Sequence, residues 1–503
     1  MRATPLVSKL RATSRALPMR AFALASLACA ALAGCMMGPD YVRPKVDAPA
    51  TFRFEPKEVA QTADTQWWKQ FDDPVLDQLI AEALANNMSV KVAVANVEQA
   101  LGVLTQTRSA LFPQVGYSAT AERARSAETA LTQAIPNYPN PQNAYQALLT
   151  ASWEIDLWGR IRRLSESAQA SMLATDEARR GVILTLVSSV ATSYIALRGL
   201  DEQLAISQRT LGTYGESVRL YKLQFQYGQT SQMTVSQAQS QYETAAAQIP
   251  QIQTQIAQTE NALSVLLGRN PGPIPRGKSV YDLAVPPVPA GVPSSLLTRR
   301  PDLMQAEEQL IAANAEIGAA RALYFPTISL TGAFGSASTQ LSDLFKGPAR
   351  VWNYAGSVVG PIFTFGAVSG QVAQAEAGQK AALYNYQLSI QNAFADVDSA
   401  LVANTNIKTQ LGAQERLVAA LADYARLAKL QYDGGYVPYS TVLQAEQTLF
   451  PAELQLALVR ASVFTAAANV YKSMGGGWVT EADKMTGGPG TPTSEEIAKQ
   501  PLF

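Results

Sequence analysis

The sequence predicts an α+β membrane protein in which long helices are joined to four transmembrane β-strands per chain. Three observations predict it. The chain is an internal duplication, and its helical stretches are far longer than a globular domain needs. Its strands alternate apolar and polar residues, while no apolar stretch after residue 35 reaches the roughly 18 residues of a membrane-spanning helix. Composition narrows the chemistry. There is no His among 503 residues, and the two Cys, Cys29 and Cys35, both lie near the N-terminus. A His general base, a Ser-His-Asp triad and a Cys/His zinc site are thereby excluded, which argues against most enzymes.

The N-terminus reads as a signal peptide, residues 1–34. Arg2, Lys9, Arg11, Arg15 and Arg20 form a basic region, and the apolar AFALASLACAALA follows. That run is about 13 residues, too short to span a bilayer. LAGC at 32–35 resembles a bacterial lipobox, in which Cys35 is lipidated and becomes the first mature residue. An ordinary secretory signal that happens to contain Cys is the alternative. Removing 1–34 takes five basic residues away and leaves a net charge of about −5. Nothing in the charge pattern suggests a nucleic acid partner.

The repeat sets the order of elements. KLQFQYGQTSQMTVSQAQ (222–239) aligns with KLQYDGGYVPYSTVLQAE (429–446) at an offset of 207, and Gly159 and Gly268 meet Gly366 and Gly475 at the same offset. Phe112–Pro113 meets Phe325–Pro326 at 213, so the six-residue difference belongs to the loop between. Each copy reads helix, strand, strand, long helix, tip, helix. Copy one, 86–267, has a helix over about 87–111, strands near 114–121 and 144–154, and helices over about 160–226 and 231–267 around a tip near 227–232. Copy two, 301–475, has a helix over 302–324, strands near 327–334 and 351–359, and helices near 367–431 and 439–474 around a tip near 433–440. At 1.5 Å per residue the 160–226 helix is roughly 100 Å long, close to the length of its two shorter neighbours stacked end to end. A rod of constant thickness follows. The Pro/Gly-rich 268–300, the segment 35–85 and the tail 476–503 fall at one level and form a mixed belt around it.

The helix composition suits a wall with water on one side, with ten Gln between Gln229 and Asn261 and little charge. A solvated coiled coil would read the same way. Pro250 and Pro451 lie inside helices and should bend them. In the strands, Val115, Tyr117, Ala119 and Ala121 share one face. So do Tyr145, Ala147, Leu149, Ala151 and Trp153 in the second, Ile328, Leu330 and Phe334 in the third, and Trp352, Tyr354 and Val358 in the fourth. About ten residues of alternation with aromatics toward the ends is the transmembrane-strand pattern, which makes Tyr145, Trp153, Trp352 and Tyr354 candidates for the membrane belt. An ordinary soluble sheet alternates similarly. Glu154 and Asp156 read as polar lining where strands meet helices. Four strands cannot close a membrane barrel, since barrels need at least about eight, so copies must pool their strands, and three copies supply twelve.

Several segments resemble one family, the outer-membrane factors of tripartite efflux pumps (TolC/OprM-like, NodT-type lipoproteins). They include WWKQFDDPVLDQLIAEAL (67–84), SWEIDLWGR (152–160), NALSVLLGRNPGPIP (261–275), PPVPAGVPSSLLTRRPDLMQAE (286–307), FPTISLTGAFGS (325–336) and FADVDSALVA (394–403). The resemblance covers about 40–478. It implies a homotrimer in the outer membrane, with a twelve-stranded barrel and a helical tunnel through the periplasm. Such a duct carries drugs and other small molecules from an inner-membrane pump of the resistance-nodulation-division class, through a periplasmic adaptor (membrane-fusion) protein, and contributes to multidrug resistance. It implies no enzyme activity and no cofactor, and Cys35 carries the acyl chains, palmitate among them, that tether the chain to the lipid bilayer. A protein-secretion duct and a non-spanning periplasmic lipoprotein scaffold are the rival readings.

In this family the tunnel closes at its periplasmic tip through polar and charged residues following the second hairpin turn. Relatives resemble YLTLLDAQR where this chain reads YSTVLQAEQ (439–447), so Ser440, Gln444 and Gln447 replace a Leu, an Asp and an Arg. Thr234 replaces an Asp common in the first hairpin, and Gln237 stands where Gln444 stands in the second. The resemblance thus implies a gate at Thr234, Gln237, Ser440, Gln444 and Gln447, held by amide hydrogen bonds and packing without an ion pair. Alternatively, these Gln merely face neighbouring helices. The tip turns, with Gly228, Gly434, Gly435 and Pro438, are expected to meet the adaptor.

Overall fold

The computed structural model describes residues 36–54, 64–127, 139–289 and 293–486. A 3₁₀ turn at Trp67–Phe71 precedes α1, Pro74–Asn86, which starts where the Asp73 carboxylate accepts the Val75 N–H and Pro74 occupies the first turn. Then follow α2 (Met88–Ser109), β1 (Gln114–Ala124), β2 (Gln142–Ile155), α3 (Arg160–Gln226) and α4 (Gln232–Leu266). The second copy supplies α5 (Pro301–Ala322), β3 (Thr327–Ser338), β4 (Arg350–Val359), α6 (Ala367–Asp433) and α7 (Tyr439–Met474). The short α8 (Trp478–Asp483) ends the described chain.

The helices α2 and α5 stop earlier than the Phe-Pro pairs suggest. A residue before proline is pushed out of the α region, so the chain leaves the helix in a turn ahead of it. Phe112 N–H donates to Ser109 O and Phe325 N–H to Ala322 O, the same turn in both copies. Pro250 and Pro451 lie within continuous helices. The expectation that no stretch reaches membrane length also needs correction. α3 and α7 each hold an 18-residue window apolar enough to cross a membrane, but half of the α3 window is buried against the chain's own core.

The chain divides into two compact units, and each repeat contributes to both. The first comprises described residues within 36–41, 105–167 and 313–378. It holds one antiparallel sheet in the order β1-β2-β3-β4. Tyr117 stands opposite Leu149, Leu149 opposite Phe334, and Phe334 opposite Trp352. The four apolar stripes read from the sequence therefore lie on one face of one sheet. The other face carries Ser118, Thr150, Thr331 and Ser357 among others, and Ser329 and Ser357 share a hydroxyl hydrogen bond of 2.7 Å. β1 and β4 are exposed throughout. At the start of α3, Asp156 accepts the N–H groups of Ile161 and Arg162, and Glu154 pairs with Arg160 at 2.9 Å. These two carboxylates, read above as lining, cap and clamp a helix N-terminus.

The second unit comprises described residues within 42–104, 168–312 and 379–486. Its main core gathers Trp67, Trp68 and Phe71 with Leu76, Ile80, Val187, Tyr194, Tyr471 and Trp478. Trp67 stacks on Tyr471 at 5.4 Å and meets Trp68, Phe71 and Trp478 edge-on. The segment before α1 and α8 after α7 thus share one aromatic cluster. Asp64 secures it by accepting the Gly477 N–H.

Candidate functional site

Three places bear on function: the sheet faces, the two hairpin tips, and the groove that receives the chain just after Cys35. On the sheet, Trp352 and Tyr354 stack at 5.8 Å and stand 67% and 81% exposed. Trp153 is half-buried and donates its indole N–H to Leu111 O at 2.9 Å, while Tyr145 is half-buried at the other end of β2. Register places all four on the apolar face with Tyr117 and Phe334. A soluble sheet would cover such a face; this one leaves Val115, Tyr117, Leu149, Phe334 and Val358 exposed.

Cys35 lies outside the described residues, but its successors are held firmly. Met37 N–H donates to Trp158 O at 3.1 Å, beside the β2–α3 junction. Arg163, 2% exposed, donates to Met37 O at 3.0 Å and pairs with Asp40 and Glu166, both at 2.7 Å. Asn314 donates to Pro39 O at 2.9 Å. Gly38, in the left-handed region at φ +92°, faces Gly318 so closely that a Cβ on either would collide.

At the tips, both long helices end on the same motif. Gly228 and Gly435, 207 residues apart, adopt φ +70° and +78°. Gln229 N–H reaches back to Gln224 O and Tyr436 N–H to Gln431 O, closing each helix with a left-handed glycine. Gly434 lies against the Tyr436 ring, and Pro438 is the residue before α7. The hairpins pack on each other through Val218, Tyr221, Val235, Ala238, Tyr439, Val442 and Ala445. Tyr221, Tyr432 and Tyr439 form an aromatic triangle with centroids 4.3 to 6.1 Å apart.

This packing decides where the gate candidates point. Ser440, Gln444 and Gln447, spaced four and three apart, are exposed on the α7 face opposite the buried Tyr439, Val442 and Ala445. On α4, Gln237 is half-buried, and Thr234 donates its backbone N–H to the Ser231 hydroxyl at 3.3 Å. The structure brings the three α7 residues onto one face; it shows no amide pairing between Gln444 and Gln447 among the described residues.

Sequence reasoning missed Glu446. It lies on the buried side of α7, with Oε2 unpartnered, in a cleft of about 570 Å³ lined by α3, α6 and α7. Burial pushes its carboxyl up to about 7 against the pull of Lys429. Its counterpart in the first copy is Gln239, and an acid in that stripe was the signal available. The charged run on α3 was also missed. Asp176 and Glu177 are buried there, with Arg179 joined to Asp176 and Asp483 and Arg180 to Glu177. Burial raises Glu177 and Glu308 to about 7. No cluster of three or more metal-ligating side chains occurs among the described residues.

Residues 79–269 and 292–476 match the family described as outer membrane efflux protein. The chain is 34% identical over 456 residues to the cation efflux system protein CusC of Escherichia coli O6:H1, covering 89% of this chain and 97% of that one. It is 36% identical over 472 residues to the probable efflux pump outer membrane protein TtgC of Pseudomonas putida, covering 90% and 96%. Its structure is similar to the open state of the Neisseria gonorrhoeae MtrE outer membrane channel, with a TM-score of 0.79 and 32% identity across 88% of this chain and 99% of that one.

Proposed function

From the premise that this chain belongs to the outer membrane efflux protein family, we propose that it is the outer-membrane duct of a tripartite efflux system. It passes small molecules from an inner-membrane pump across the periplasm and the outer membrane. The observation that carries the reading is the sheet: four strands, apolar on one face and hydroxyl-rich on the other, with both edges open. In a bilayer no strand edge can stay unpaired, so the sheet closes with other copies, and a homotrimer supplies twelve strands. Apolar residues then face lipid and hydroxyls face a water-filled lumen.

Cys35 carries the lipid anchor, in keeping with Met37 held beside the strand–helix junction. Each buried methylene contributes about 0.8 kcal/mol, so several acyl chains make a stable tether. The tip turns meet the periplasmic adaptor, and the pump is of the resistance-nodulation-division class. Relatives bear names tied to cations, solvents and antibiotics, and cargo of that range fits a duct whose selectivity lies with its pump. The exposed α7 face with Ser440, Gln444 and Gln447 closes the tunnel without an ion pair, which costs little because exposed pairs contribute under about 1 kcal/mol. The test is conductance across planar bilayers. Purified protein should form low-conductance channels, and Gln444→Asp with Gln447→Arg should change their conductance. Bilayers that stay silent with correctly extracted protein would refute the duct; unchanged conductance in the double variant would remove the gate from these residues.

A further inference from the structure

We infer that, where β4 of one copy meets β1 of the next in the shared barrel, Phe365 stacks on Phe112 of the partner subunit and locks the seam in a defined register. The inference rests on the proposed sharing of one barrel by several copies, and it follows from the internal duplication. Gln114 pairs with Ser152 and Thr327 with Val359, so the β1·β2 and β3·β4 ladders are related by 213 in the first strand and 207 in the second. These are the offsets the sequence itself carries. The two hairpins are copies to the residue.

One junction between hairpins, β2·β3, is visible within the chain. There Thr150 stands opposite Ala333 and Ile155 opposite Ile328. The same offsets applied to the other junction put Ser357 opposite Thr120 of the partner subunit, and Val358 opposite the partner's Ala119. Parity is preserved, so hydroxyl meets hydroxyl side and apolar meets apolar side; a slip of one residue would invert every side chain. The strand then gains length. β4 ends at Val359 in the lone chain, whereas its copy β2 runs to Ile155, the equivalent of Ile362. In the seam Ile362, 89% exposed here, meets the partner's Val115, and Gly360 lies beneath the partner's Tyr117. Followed around the sheet, Gln114 faces Ser152, then Thr331, then Ala355, and the seam brings Ala355 to Glu122 of the partner subunit. The internal junction advances the register by four equivalent positions, and the same offsets carried to the seam advance it by four more. The edges of β1 and β4 differ, so the contact is head-to-tail and generates a ring.

The aromatic lock follows from the same offsets. Trp158 stacks on Phe325 at 4.6 Å and donates its indole N–H to Pro326 O at 2.8 Å. Their counterparts are Phe365 and Phe112. Among the described residues of one chain these two have no such partner: Phe365 is fully exposed with φ +46°, a conformation bulky residues rarely hold, and Phe112 is 55% exposed. Phe365 cannot donate the hydrogen bond, so stacking alone remains.

The test uses full-length lipidated protein oxidised in outer membranes, with paired cysteines introduced into each chain. Disulfides require Cα atoms about 4.4–6.8 Å apart, which opposed residues meet and residues displaced by two along a strand do not. Ser357→Cys with Thr120→Cys should give covalent oligomers at least tenfold more abundant than Ser357→Cys with Ser118→Cys or with Glu122→Cys. Phe365→Ala and Phe112→Ala should each lower the temperature at which oligomers dissociate in detergent, with no further loss in the double variant. A displaced pair crosslinking in preference would overturn the register while leaving the shared barrel standing. No crosslink from any pair, in particles whose mass is oligomeric, would overturn the β4·β1 seam. Monomeric particles would overturn both. Additive losses from the two Phe variants would remove the lock.

Discussion

Glu446 makes the tips sensitive to pH, with a sign that can be worked out. Its carboxyl sits near pKa 7 in the folded chain against an ordinary 4.5, because burial penalises the charged form. A raised acid stabilises the fold fully below its unfolded value and loses that contribution as pH rises through its folded one. The groups around it do not reverse this sign. Arg209 and Tyr214 come from α3, Arg426, Lys429 and Asp433 from α6, and Glu453 from α7, and of these Lys429 exerts the main pull. A displacement from 4.5 to about 7 corresponds to about 3 kcal/mol at 1.36 kcal/mol per unit, or about three hundredfold in an opening equilibrium. Glu446→Gln removes the titration. Amides near Val442 and Ala445 should exchange about three hundredfold more slowly in the variant than in the parent at pH 8, after correction for intrinsic rates. At pH 4.5 the two proteins should differ little. Equal protection at both pH values would refute the buried-acid argument, and faster exchange in the variant at pH 8 would show that the Lys429 attraction dominates.

Three further outcomes follow from packing. Trp478→Ala removes a fully buried ring from the cluster with Trp67 and Trp68 and should cost about 3–5 kcal/mol, read as a lowered thermal midpoint; an unchanged midpoint would show that α8 adds nothing to that core. Gly335→Ala would drive a Cβ into the Ala147 carbonyl across the β2·β3 ladder, so the variant should be depleted from the outer-membrane fraction, and wild-type abundance would contradict the observed pairing. Arg163→Met unties 36–41 from α3 and should cost about 2 kcal/mol locally, seen as roughly thirtyfold faster exchange of the Met37 amide; unchanged protection would mean that the glycine contact alone holds the segment.

Much of this architecture is legible in the sequence, for identifiable reasons. The reading of a helix over 160–226 coincides with α3 because a positive-φ glycine stands just outside each end, Gly159 and Gly228, and nothing between them breaks the helix. Strand faces follow from period-two alternation, and the register confirms that all four align. Tertiary effects escape such reading. α3 lacks a continuous apolar run, so its membrane-like window passes unnoticed, and the burial of half that window inside the chain accounts for its apolar residues. Glu446 looks like one more polar residue on a polar helix until Tyr439 and Val442 orient that helix. Asp156 looks like lining until the start of α3 places two N–H groups over it.

In this architecture the four strands of each chain are completed by those of other copies. Protein mass per particle, measured after detergent extraction from purified outer membranes, tests it most directly. Three chains per particle are expected. A single chain per particle, or absence of the protein from that membrane, would contradict this architecture and return the sheet to a soluble one.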